Sequence, residues 1–193
     1  ALLGVGIAAL VKKEKVKLDG PSAEIVAMFG DGSYRDTLSV LEKVLVRAKD
    51  GILDADMVAR VVGAPTHDLV NRVLRAIDSG DIADGLLSVR EADRDHVDMK
   101  AYLRLLLHKL RAVLLLRYAP AFAKEFADEF TPDDLVLLRE LADAKEKKIN
   151  SHVLYEFLEA SRQIGWSAVR SLPIELALIK VAGEYPLEKE KKI

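Results

Sequence analysis

The residue with the most chemical potential in this sequence is Arg35, in the run Gly30-Asp31-Gly32-Ser33-Tyr34-Arg35-Asp36-Thr37-Leu38-Ser39. Ser33 and Asp36 have the S-x-x-D spacing of a capping box, whose hydroxyl and carboxylate satisfy backbone donors exposed in a first turn, so a helix starts here. An arginine inside that turn lies at the positive end of the helix dipole, where a cation is electrostatically misplaced. A local ion pair with Asp31 or Asp36 would explain it, at little gain on a surface. Alternatively, the guanidinium projects from the helix start toward a phosphate, whose oxygens match its fixed fork and permanent charge. The residues alone leave both readings open, the local pair being the simpler.

Other candidates reduce to structure. Gly4-Val5-Gly6-Ile7-Ala8-Ala9 matches the G-x-G-x-x-A dinucleotide fingerprint, but that chemistry needs a preceding strand and a βαβ unit, and neither is visible. Within a helix these glycines each cost roughly 1 kcal/mol relative to alanine. His67, His96, His108 and His152 are scattered without zinc-type spacing, so no metal site is expected. Asp54 with Asp56, and Asp133 with Asp134, fall at helix starts, where capping and dipole compensation account for them. His108 shares a stripe with Lys100, Arg104 and Arg111, which reads as a solvated face or an interface. No constellation suggests a catalytic residue.

The elements that position these residues are helical. Leu3, Ile7, Leu10 and Val11 recur at helical spacing, and Asp19-Gly20-Pro21 makes a turn. Ile25, Val26, Met28 and Phe29 form a short helix stopped at Gly30, and another runs from about Tyr34 to Lys49. Met57 to Val62 closes this section before Gly63-Ala64-Pro65. Further helices are expected over Asp68–Asp78, Ile82–Ala92, Met99–Tyr118, Asp133–Lys147, Val153–Ile164 and Ile174–Ala182. The Met99–Tyr118 helix is so rich in leucine that it must be buried on most sides. Thr131-Pro132-Asp133-Asp134 reads as an N-cap with proline in the first turn, and Pro173 with Glu175 opens the last helix. No segment alternates with period two, so the fold class is all-α. No internal repeat of fixed period appears, which weighs against a solenoid.

Composition bounds the function. The 193 residues are 50% hydrophobic, enough for one ordinary domain or two small ones. A net charge of −2 argues against a dedicated nucleic-acid-binding domain. The absence of cysteine excludes disulfides and thiolate chemistry and fits a cytoplasmic protein. The apolar run from Ala1 to Val11 is too short to span a bilayer and lacks the basic start of a signal peptide, so no membrane role is expected. The chain opens within a helical pattern and without an initiating Met, as a fragment of a larger protein would.

The segment Ala27 to Val44 resembles the G-S-x-R-D-A-L-S-L-L-D-Q stretch of the gamma/tau subunits of the bacterial DNA polymerase III clamp loader, in the lid of their AAA+ module. Ile52 to Gly63 is similar to that family's short helix ending in Leu-Gly, and Val169 to Lys180 to the segment closing its collar domain. The resemblance covers about residues 2 to 182, with Thr37 in place of the usual alanine and Gly4 and Gly6 unusual in a first lid helix. It implies a lid over residues 1–64, a collar (the family's domain III) over 65–184, and a charged, disordered tail over 185–193. It further implies that Arg35 is the second sensor, contacting the terminal phosphate of ATP held with Mg by a separate P-loop domain. The Walker A lysine, Walker B acids, zinc-binding cysteines and arginine finger of the parent family are missing from this sequence, so the resemblance implies no ATP hydrolysis and no cofactor in this chain alone. Implied partners are other clamp-loader subunits through the collar, as homo- or hetero-oligomers, and the sliding clamp and primed DNA through the full complex of a bacterial cytoplasm. A generic helical adaptor and a small-subunit clamp loader of archaeal or eukaryotic type are the alternatives.

Overall fold

The computed structural model describes residues 17–30, 33–47, 52–53, 55–126 and 129–184. The helix expected over Leu3–Val11, its glycine motif, Asp31, Asp54 and the tail 185–193 lie outside the described residues. The described chain is all-helical apart from two short strands, β1 (Lys17–Leu18) and β2 (Ile52–Leu53), paired in parallel. Two-residue strands show no alternation, so periodicity could not reveal them.

Helix α1 (Gly20–Phe29) starts where Asp19 accepts the Ser22 N–H at 2.8 Å, with Pro21 in the first turn. Helices α2 (Tyr34–Arg47) and α3 (Ala55–Val62) pack on it. Their facing residues Ile25, Val26, Leu41, Val44, Val58 and Ala59 form one buried cluster. A second, larger cluster is built by α4 (His67–Ser79), α5 (Ile82–Arg94), α6 (Met99–Tyr118), a 3-10 turn (Pro120–Phe122), α7 (Ala123–Phe126), α8 (Pro132–Asp143), α9 (Ser151–Gln163) and α10 (Leu172–Glu184). Helix α6 lies at its centre, capped by Asp98 on the Lys100 and Ala101 N–H groups, and its Tyr102, Leu103, Leu106, Leu110 and Val113 are buried. The two clusters meet along α6. Asp98 N–H donates to Gly63 O at 3.0 Å, Arg104 Nη1 to Met28 O at 2.9 Å, and Met28 packs on the larger cluster.

Helix α8 ends at Asp143, short of the expected Lys147, because Arg117 of α6 donates to the carbonyls of Leu141, Ala142 and Ile149. A cation on those terminal carbonyls satisfies orphan acceptors and the negative end of the dipole together. Gly80 ends α4 in the left-handed region, φ 88°, which a side chain would strain.

Beneath this helical frame lies a buried charged network. Lys109 of α6 is fully buried, and its ammonium donates to Asp134 at 2.7 Å and to Asn71 at 2.8 Å. Asp134 also accepts from Asn71 Nδ2 at 2.8 Å and from His67 Nδ1, which carries a proton because an ionised carboxylate can only accept. Burial pushes the Lys109 ammonium down to about 8, against the pull of Asp134. Burial alone would raise the Asp134 carboxyl, but the His67 hydrogen bond and the Lys109 charge outweigh it and hold the group below the usual carboxylate range. The reading of Asp134 as a simple capping acid is thereby corrected: Thr131 Oγ1 accepts the Asp134 N–H as N-cap, while the carboxylate turns inward.

His108 also departs from the solvated stripe expected of it. Its ring stacks on Phe130 at 4.7 Å between centroids, with a side chain only 18% exposed. Burial, with the charges of Arg111 and Lys109, lowers it to about 4. The unfolded chain binds a proton there below about 6.5, so stability falls as pH drops from that value toward 4. His108→Gln should flatten this part of the stability curve, read by denaturant titration across that range. The buried pair predicts that Asp134→Asn, which strands the Lys109 charge, costs about 3–5 kcal/mol in urea unfolding. Adding Lys109→Met should recover most of that loss; a double variant as unstable as the single one would contradict the pairing.

Candidate functional site

The turn joining α1 to α2 is held by backbone contact. Gly30 closes α1, and a Cβ placed on it would stand 1.8 Å from Thr37 Oγ1 and 2.8 Å from Thr37 Cα. Only glycine lets the end of α1 lie this close to the first turn of α2. Thr37 is itself buried, and its hydroxyl donates to Ser33 O at 2.8 Å. The buried hydroxyl is thus satisfied by a local back-bond. Ser33 Oγ accepts the Asp36 N–H at 3.3 Å, one half of the expected capping box. The reciprocal half is absent: the Ser33 N–H donates to Gly30 O at 2.8 Å and leaves the Asp36 carboxylate nothing to cap.

Arg35 follows from this geometry. It occupies the second position of α2, exposed between exposed Tyr34 and Asp36. Among the described residues it has no ion-pair partner, Asp36 included. Its backbone is fixed by the Gly30–Thr37 contact, while its guanidinium stands in solvent at the positive end of the helix. Such an arrangement can offer two or more N–H donors to an anionic oxygen brought up by another body. Behind the turn, Arg104 of α6 holds the Met28 carbonyl two residues before Gly30.

The histidines and acids read from sequence are dispersed. His96 is exposed, His152 lies 3.7 Å from Glu156 on α9, and His108 is packed on Phe130. His67 and Asp134 are the two that the fold brings together, and no group of three metal-ligating side chains forms among the described residues. A hollow of about 840 Å3 opens beside them, with Asp19, Arg60, Arg75 and Asp133 among its lining. Its mixed charges select no ligand class. Sequence reasoning missed Lys109, although its spacing shows it: it lies four residues from both Leu105 and Val113, on the buried stripe of α6.

With this geometry in view, the chain can be set beside known proteins. It is 22% identical over 176 residues to DNA polymerase III subunit tau of Bacillus subtilis (strain 168), covering 89% of this chain and 30% of that protein. It is 25% identical over 167 residues to Protein STICHEL-like 1 of Arabidopsis thaliana, covering 86% of this chain and 14% of that protein. No family model matches the chain. The chain is thus distantly related to tau over most of its own length, and it spans under a third of either relative.

The close turn predicts that Gly30→Ala destabilises the protein by about 1–3 kcal/mol through overpacking. Thr37→Ala added to it should relieve only part of the loss, since the Thr37 Cα is itself 2.8 Å from the new methyl. Thermal melting of the two variants checks this; full recovery in the double variant would mean that the backbones can move apart.

Proposed function

We propose that the chain is the lid and collar portion of a clamp-loader subunit, residues 1–64 forming the lid and 65–184 the collar. The reading is supported most by the length of the similarity to tau: a match over 89% of the chain takes in both buried clusters and Arg35 together. In this reading Arg35 is the second sensor. Its unpaired, exposed guanidinium reaches the terminal phosphate of ATP held by a P-loop domain outside this chain, and hydrolysis belongs to residues of that domain. The sequence itself contains no Walker A lysine motif, so of the clamp-loader family's phosphate contacts it offers Arg35.

The mechanism proposed for these residues is mechanical. When Arg35 engages phosphate, α2 and α1 move with it as one body, because Gly30 and Thr37 leave no slack between them. The hydrogen bonds from α6 to Met28 O and Gly63 O carry that movement to the larger cluster. The collar holds neighbouring subunits in a ring, and the ring opens a sliding clamp and sets it on primed DNA. A cytoplasmic place suits such a complex, and among the described residues no helix is long and apolar enough to cross a membrane.

A generic helical adaptor leaves an arginine exposed at a helix N-terminus without a role. The two readings separate in the full-length protein with Arg35→Ala. Melting temperature and subunit assembly should change little, since an exposed arginine contributes at most about 1 kcal/mol. DNA-dependent ATPase and clamp loading should fall by one to two orders of magnitude, about the 1.5–3 kcal/mol of a charge-assisted phosphate contact. Ser33→Ala is the contrast, costing about 1 kcal/mol of helix stability while retaining most turnover. An Arg35→Ala protein that loads clamps at the parental rate rules out the sensor.

A further inference from the structure

Trp166 is the single tryptophan of the chain, and it is 91% exposed in the turn between α9 and α10. A tryptophan so placed offers the largest apolar surface a side chain can lend to an interface. It lines two hollows. One, of about 410 Å3, has an apolar floor of Leu103, Leu107 and Ile164, rimmed by Lys100, Arg104 and Arg162. The other, of about 430 Å3, is walled by Leu172, Pro173 and Leu176 and shares Arg162. Among the described residues no carboxylate lines either hollow. In a chain of net charge −2, this is a local concentration of cations around an apolar surface.

We propose that Trp166 and its two hollows are a docking site for an acidic amphipathic helix of a partner protein. Two apolar side chains on one face of such a helix would enter the two hollows beside the indole, and carboxylates flanking that face would meet Lys100 and Arg162. Arg162 pairs with Glu159 at 3.2 Å, but its side chain is 72% exposed, and a surface pair of this kind is exchanged for an incoming carboxylate at little cost. A single-stranded nucleic acid fits less well. The hollows are floored by aliphatic side chains around a single indole, whereas strand binding relies on successive aromatic platforms along a basic track. The proposal is independent of Arg35 and of any nucleotide.

The lone tryptophan makes the test direct, because all indole emission of the 193-residue chain comes from the site. The probe is a synthetic leucine–glutamate peptide of about four helical turns with one apolar face, set against the same peptide with lysine for glutamate and against oligothymidylate. The glutamate peptide should blue-shift Trp166 emission saturably, with affinity that weakens as salt is added. The lysine peptide should cause no shift. Lys100→Glu combined with Arg162→Glu should weaken binding at least about tenfold. All these side chains are exposed, and an unchanged melting temperature in the variant distinguishes lost docking from lost fold. Equal shifts with both peptides, no shift with the glutamate peptide, or saturation by oligothymidylate in its place would overturn the proposal.

Discussion

The arrangement of the larger cluster depends on one buried ion pair, Lys109 with Asp134. Both groups are withdrawn from water, so the cost of desolvating them is met only while each keeps the other and its hydrogen-bonding neighbours, Asn71 and His67. That requirement ties three helices at one point: α6 through Lys109, the start of α8 through Asp134, and the first turns of α4 through His67 and Asn71. Apolar packing along α6 would tolerate sliding by small amounts, since leucines are interchangeable partners. A buried charge with directional partners does not, and it fixes the register of α6 against α4 and α8.

Helix α6 then serves as the reference for everything N-terminal to it. His67 follows directly on the Gly63–Thr66 connection, so the network also anchors the point where the chain passes from the small cluster to the large one. On its other side α6 holds the Gly63 and Met28 carbonyls. The α1–α2 turn rests on this support and on the Gly30–Thr37 contact, which together place Arg35 in solvent on a backbone with little freedom. An arginine displayed this way, at the unfavourable end of a helix dipole, is the feature that the clamp-loader reading accounts for.

Much of this was legible in the sequence. The helical period of apolar residues located nearly every described helix, and the cap at Thr131 marked where α8 starts, whereas Asp19, read as part of a turn, and Asp98 proved to be N-caps. The end of α8 was not legible, because it is set by Arg117 from a different helix rather than by any local stop signal. His108 was misplaced for a similar reason: Lys100, Arg104 and Arg111 share its stripe, but Phe130, far along the chain, covers the ring. Asp134 looked like an ordinary first-turn acid, since nothing local distinguishes a capping carboxylate from one turned toward a buried lysine. The exposure of Arg35 followed from its position, and the contact that holds its turn was hidden in a glycine that read only as a breaker.

If Arg35 serves a nucleotide-binding domain of the same polypeptide, as proposed, the coding sequence upstream of Ala1 must encode that domain, and reading it tests the proposal. A G-x-x-x-x-G-K-[ST] motif on the order of a hundred residues earlier is expected, opening a helix after a strand. An initiation codon immediately before Ala1, or an upstream domain without that motif, would contradict it.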